Sequence, residues 1–131
     1  MGFLDTLFGS KKDDSKEQKK SIPWIGLTSL EQLDDIEQKS SSRPQLIFKH
    51  STTCGISRMV LNMFEKNPLL QEDSVDLYFL DLHRHRNISN EIAQKYQVLH
   101  QSPQLLVIKH SQTMAHASHG GITEVKLEEY I

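Results

Sequence analysis

Apolar residues recur at helical spacing in three parts of the chain. The spacing predicts a first helix over residues 28–39, and Thr123 is expected to cap a last helix that runs to Ile131. Two further helices lie between them, and Asn67-Pro68 ends the earlier one. The apolar positions of these two helices are Ile56, Met59, Val60, Met63 and Phe64, and then Ile88, Ile92, Ala93 and Tyr96.

Polar residues in front of the helices are candidate N-terminal caps. Thr28-Ser29-Leu30-Glu31 has the form of a capping box for the first helix. Asn87 and Ser89 are alternative caps for the third helix. These side chains are expected to satisfy backbone N–H groups that have no partner within the helix.

Short apolar runs predict strands between the helices. The last two strands follow each other without a helix, which indicates an antiparallel hairpin with a turn at Ser111–Gln112. Strand–helix–strand repeats indicate parallel pairs, so the order predicts a three-layer α/β/α sandwich around a central mixed sheet, ending in a hairpin and a helix. The segment Pro23–Leu27 is either an edge strand or a loop. The predicted strands are Gln45–His50, Val75–Leu82, Gln104–Lys109 and Thr113–Ser118.

Composition limits the class of protein. The 131 residues suit one domain, with 37% hydrophobic and 24% charged residues, as in a soluble globular chain. The longest apolar runs, Leu77–Leu80 and Leu105–Ile108, are far shorter than the roughly 20 residues that cross a bilayer. A net charge of −2 gives no general nucleic-acid footprint.

The first 21 residues differ from the rest. Residues 11–20 contain no apolar side chain, so we expect a flexible tail over residues 1–21 and a domain over 22–131. Phe3, Leu4, Leu7 and Phe8 would share one face of a short helix, which is either a weak tether to a membrane or partner or, as we favour, a frayed terminus. No secretory signal is visible, and together with the single cysteine this favours a reducing cytoplasm.

Cys54 is the main candidate for chemistry. It lies between a predicted buried strand and the start of the clearest helix, where free N–H groups favour an anion such as a thiolate. The helix dipole supplies only about 0.3–1 kcal/mol, so we expect further support from N–H groups or from a cation, with Arg58 and His50 as the candidates. The alternative is a small buried hydrophobic cysteine. The polar, small neighbours of Cys54 favour an exposed helix start.

Ser102-Pro103 is a second candidate feature. The proline directly precedes a predicted buried strand, where it either caps an edge strand or is a cis proline in a tight turn. A cis peptide would present the backbone of Ser102 to a bound ligand.

Taken together, these patterns resemble the thioredoxin fold and, within it, the monothiol bacilliredoxin family of bacteria that use bacillithiol. The resemblance covers residues 24–131. The residues that carry it are Ser51–Cys54 with Ser57, Arg86–Ala93, Val98–Gln104, Ser118-His119 and Ile122-Thr123. His100 and His119 belong to this pattern without an assigned role.

The resemblance implies a monothiol thiol–disulfide oxidoreductase. Cys54 would attack mixed disulfides between bacillithiol and proteins, or would itself be modified by bacillithiol, with bacillithiol as co-substrate and no tightly bound cofactor. The motif residues Gly55, Ile56, Ser57 and Arg58 would support the thiolate. Thr53, Ser102 and a cis Pro103 beside Cys54 would bind the small thiol or the substrate. The expected partners are therefore bacillithiolated proteins and a low-molecular-weight thiol.

Two departures bear on this interpretation. Ser57 stands where dithiol relatives have a resolving cysteine, so another thiol must release whatever Cys54 accepts, and Ser57 is left to bond the sulfur or cap the helix. Gly55 stands where the family pattern leads us to expect proline, which makes the motif similar to that of monothiol glutaredoxins. An iron–sulfur carrier is therefore an alternative, as is a redox-sensing or adaptor module without turnover.

The histidines predict no metal site. His83 and His85, like His116 and His119, match no closed zinc spacing, and no second thiolate is available. We expect these side chains to be solvated loop residues.

Overall fold

A computed structural model describes residues 22–131. The flexible tail predicted for residues 1–21 and its apolar face lie outside the described residues. The helices are α1 (Glu31–Lys39), α2 (Gly55–Phe64) and α3 (Arg86–Tyr96). The strands are β1 (Trp24–Gly26), β2 (Gln45–His50), β3 (Asp76–Asp81), β4 (Gln104–Lys109) and β5 (Gln112–Ser118). Short 3-10 turns occupy Pro68–Gln71, His119–Glu124 and Leu127–Glu129.

The five strands form one mixed sheet in the order β1-β3-β2-β4-β5. β3 is parallel to both β1 and β2, whereas β4 is antiparallel to β2 and to β5. The segment left open at Pro23–Leu27 is thus an edge strand over Trp24–Gly26. The predicted hairpin is confirmed, with its turn at His110 and Ser111, which both have positive φ, one residue earlier than predicted.

Two apolar layers cover the faces of the sheet and confirm the three-layer α/β/α sandwich. On one face α1 and α3 pack against the strands through residues such as Ile36 and Ile92. On the other face α2 and the 3-10 turns pack through residues such as Phe64 and Leu127. Because side chains alternate along a strand, β2 sends Ile47 to the first layer and Phe48 to the second. No helix within residues 22–131 is both long and apolar enough to cross a bilayer.

The C-terminal segment is helical but differs in type from the prediction. The α-helix expected over 123–131 is replaced by two 3-10 turns, separated at Val125, which has an extended backbone. Thr123 is not an N-terminal cap, because its hydroxyl donates to the carbonyl of Gly120 at 2.9 Å. Ile122 and Leu127 are buried five residues apart, a spacing that one α-helical face does not provide.

The predicted caps are also wrong. The helix α1 begins at Glu31, and Gln32 rather than Glu31 reaches back, its Oε1 accepting from the N–H groups of Thr28 and Ser29. At α3 the N-cap is His85 and no side chain caps it. Ser89 is instead fully buried and bonded to His100, a partner distant in sequence.

Candidate thiol exchange site

The predicted site residues converge on one edge of the sheet. Cys54 follows the end of β2, and Ser102-Pro103 precedes β4. Since β2 and β4 are antiparallel with Lys49 opposite Gln104, the end of β2 and the start of β4 lie at the same edge. The end of β3 joins them, because His50 is aligned with Asp81. Topology therefore brings together the loops that follow β2 and β3 and the loop that precedes β4.

Cys54 is the N-cap of α2. Its backbone is extended, at φ −105° and ψ 119°, and its carbonyl accepts the first bond of the helix from the N–H of Arg58 at 3.2 Å. The N–H of Cys54 donates to the carbonyl of Ser51, which closes a tight turn in front of the helix. The side chain is partly exposed. The structure thus has Cys54 at the accessible helix start, as the sequence predicts, and not in the core.

Ser57 lies one turn into α2 and is fully buried. Its hydroxyl oxygen accepts from the N–H of Ser51 at 3.1 Å and bonds Nδ1 of His50 at 2.8 Å. Of the two roles predicted for Ser57, bonding the sulfur or capping the helix, the described contacts show neither. The hydroxyl instead ties the helix to the strand end and the loop in front of Cys54.

The surroundings of His50 disfavour the cationic role proposed for it from the sequence. Burial is the main cause that lowers its pKa, and the charge of Arg58 lowers it further, although Asp81 and Glu65 oppose this. The neutral imidazole is therefore favoured near pH 7. Arg58 remains the candidate cation of the motif, on the exposed side of the first turn of α2.

His83 belongs to the site, although the sequence indicated only a solvated loop residue. Its Nε2 lies 2.8 Å from the hydroxyl of Ser51 and 3.1 Å from that of Thr53. Its N–H donates to Oδ1 of Asp81 at 3.1 Å. The side chain is exposed, as predicted, but it links the loop after β3 to the loop that carries Cys54. The sequence holds no signal for this contact, because the two loops are 30 residues apart.

The peptide bond between Ser102 and Pro103 is cis. This confirms the isomer that the resemblance implied. Pro103 is buried, and its carbonyl accepts from the N–H of His119 at 3.0 Å, which extends the pairing of β4 with β5. The hydroxyl of Ser102 is buried without a hydrogen-bond partner among the described residues.

Gly55 and Ile56 begin the exposed surface of α2. A Cβ atom at position 55 would meet no atom within 4 Å, so the glycine is not required by packing. Ile56 is 57% exposed. Within residues 22–131 no group of three His, Cys, Asp or Glu side chains is placed to hold a metal ion.

Known proteins share both the sequence pattern and the fold. The family model of the monothiol bacilliredoxin matches residues 25–127. A solved structure provisionally described as an oxidoreductase with a thioredoxin fold is 30% identical and covers 82% of this chain and 92% of its own, with a TM-score of 0.70.

More distant thioredoxins show the same fold. Oxidised thioredoxin O2 from Arabidopsis thaliana is 18% identical, with coverage of 87% of this chain and 100% of its own and a TM-score of 0.66. The thioredoxin NaTrxh from Nicotiana alata is 14% identical, covers 86% and 96%, and has a TM-score of 0.67. The thioredoxin fold, the lone cysteine at the helix start and the family match over residues 25–127 lead to one conclusion: the chain belongs to the monothiol bacilliredoxin family of thioredoxin-like oxidoreductases.

Proposed function

We propose that this protein removes bacillithiol from mixed disulfides on other proteins. The observation that carries the proposal is the position of Cys54, a partly exposed thiol at the N-cap of α2 and the only cysteine of the chain. The backbone N–H groups of the first turn favour the thiolate there. The thiolate is the species that attacks disulfides.

The exchange has two balanced steps. The thiolate of Cys54 attacks the bacillithiol sulfur of the mixed disulfide, a new disulfide forms between Cys54 and bacillithiol, and the protein sulfur leaves as a thiolate that takes up a proton. In the second step the thiolate of another small thiol attacks the bacillithiol sulfur of this disulfide, so that a disulfide of the two small thiols forms and Cys54 leaves as a thiolate. Ser57 cannot perform that step, because it carries no sulfur and its hydroxyl is bonded to Ser51 and His50.

The residues around Cys54 have proposed supporting roles. The backbone of Ser102-Pro103 and the side chain of Thr53 would contact the small thiol, since they border the same edge of the sheet. Arg58 and the amides of Gly55 and Ile56 would stabilise negative charge on the sulfur.

Turnover with a defined substrate tests the proposal. A model protein carrying bacillithiol on one cysteine is incubated with the full chain and excess small thiol, and release of bacillithiol is followed by mass spectrometry. The wild type should accelerate release, whereas Cys54→Ser should not. Ser41→Ala, an exposed position in the turn after α1, is the matched control and should behave as the wild type.

Equal rates with the wild type and Cys54→Ser would overturn the enzymatic proposal. In that case a visible absorption band after iron–sulfur reconstitution would favour the cluster carrier instead. If Cys54 becomes modified by bacillithiol but the protein does not turn over, the sensing or adaptor module would be favoured.

A further inference from the structure

Lys49 is buried in the middle of the domain without a carboxylate partner. Its side chain is 0% exposed, on the central strand β2. Lysine is almost never fully buried unless it is paired. Among the ion pairs of the described residues none involves Lys49, and its Nζ instead lies 3.5 Å from Nδ1 of His100. The buried charge therefore has a specific neighbour in the loop before β4.

The contacts of His100 favour one of its two neutral tautomers. Nδ1 also lies 3.0 Å from the hydroxyl of Ser89 in α3. An ammonium group offers only donors, so Nδ1 can accept from Lys49 only when it carries no proton. A hydroxyl can donate to Nδ1 instead. The arrangement favours a neutral imidazole with Nδ1 as acceptor and the proton on Nε2.

Charges around the imidazole act in the same direction. Burial is the main cause that lowers the pKa of His100, followed by the positive charges of Lys49 and of Arg86 in α3. Burial lowers the pKa of Lys49 itself to about 8, so the ammonium still predominates at pH 7. On the neighbouring strands the residues aligned with Lys49 are uncharged: Leu80 on β3 and Gln104 on β4.

In this tautomer the Nε2–H of His100 is available to a ligand. The described residues provide it with no hydrogen-bond partner, and the side chain is partly exposed. His100 lies two residues before the cis Ser102-Pro103 bond. The loop is held further by Gln104, whose Nε2 donates to the carbonyl of Leu99 at 2.9 Å. The donor is thus fixed at the edge of the sheet that carries Cys54.

We propose that Lys49 and His100 act together in thiol exchange. The buried ammonium of Lys49 holds the imidazole of His100 in one tautomer, and the free N–H of His100 donates to the bound thiol or substrate beside residues 102–103. This inference rests on the proposed function and deepens it, because it gives His100 a role. Lys49 acts only through His100 and is a positioning residue.

Two replacements of His100 separate the two halves of its ring. In His100→Asn the amide replaces Nδ1 and loses the outer donor, whereas in His100→Gln the amide reaches the place of Nε2 and can still donate. With the bacillithiolated model protein and the full chain, kcat/KM should fall about fivefold in His100→Asn, as for one lost hydrogen bond. In His100→Gln, kcat/KM should recover most of the way to the wild-type value. His110→Asn, in the hairpin turn at the opposite edge, should leave kcat/KM unchanged.

A spectroscopic readout tests the role of Lys49 without activity. Long-range ¹⁵N–¹H spectra of the wild type should show the Nε2–H tautomer of His100. Lys49→Met should give a tautomer mixture and a higher pKa for His100, since a nearby positive charge is lost.

The results that overturn the inference are distinct from those that overturn the function. A wild type that fails to release bacillithiol removes the proposed function and this inference with it. If the wild type is active, three results would overturn only the inference. They are a His100→Asn variant as active as the wild type, a His100→Gln variant as impaired as His100→Asn, and an Nδ1–H tautomer of His100 in the wild type.

Discussion

Lys49 should make the stability of the domain rise with pH in the alkaline range, and Lys49→Met should abolish that rise. Burial lowers the pKa of Lys49 from 10.5 to about 8. Between these values the unfolded chain binds a proton that the folded chain has lost. Because the unfolded state then holds more protons, the free energy of unfolding increases with pH across this window.

The magnitude follows from the two pKa values. The difference between 10.5 and about 8 corresponds to about 3 kcal/mol that the charged lysine costs the folded state at neutral pH. About 2.5 kcal/mol of this is recovered between pH 7 and pH 10. Above pH 10 Tyr96 opposes the trend, since burial, with smaller contributions from Glu37 and Asp34, raises its pKa to about 12. The useful window therefore ends near pH 10.

Urea unfolding at several pH values measures the effect. The wild type should gain stability from pH 7 to pH 10, and the difference between the wild type and Lys49→Met should change by about 2.5 kcal/mol over the same range. Lys109→Met, on the partly exposed end of β4, is the control and should track the wild type. Parallel pH curves for the wild type and Lys49→Met would refute the reasoning, since they would mean that Lys49 titrates alike in both states.

Three other changes give expected outcomes. Ser57→Ala removes a buried hydroxyl with two hydrogen bonds and should lower the free energy of unfolding in urea by about 2 kcal/mol, against less than about 0.5 kcal/mol for the exposed Ser41→Ala. Equal losses in the two variants would contradict the site geometry. Gly55→Pro should stabilise by about 0.4–1 kcal/mol, because position 55 has room for a side chain and follows an extended Cys54; a loss of stability would contradict this. Arg43→Ala removes bonds to Asp73 and Val75 and should lower stability by about 1–2 kcal/mol; an unchanged unfolding midpoint would contradict this contact.

Local patterns predicted the helices and strands that have long periodic or continuous apolar runs. The α2 periodicity and the runs in β2 and β4 are examples, because burial on a sheet face selects these patterns directly. The prediction of an α-helix for the last segment is wrong because the extended backbone of Val125 interrupts the helix between the buried Ile122 and Leu127. The apolar pattern of residues 123–131, which include several glutamates, is too weak to predict that break.

The position of Cys54 was predictable, but its surroundings were not. A lone cysteine between a strand and a periodic helix indicates an exposed helix start from local sequence alone. The bonds of Ser57 to His50, of His83 to Thr53 and of His100 to Lys49 depend on which loops the topology brings together. Sequence spacing does not encode such contacts, so local sequence predicts Ser89 or Asn87 as a helix cap and gives no sign that Ser89 is a partner of His100.

The intact mass of the protein after incubation with oxidised bacillithiol tests most directly whether Cys54 is an accessible, exchangeable thiol. The full chain has one cysteine, so the wild type should gain the mass of a single bacillithiol and lose it again when a small thiol is added. Cys54→Ser should stay unmodified. A wild type that remains unmodified, or a Cys54→Ser protein that gains the same mass, would contradict the account.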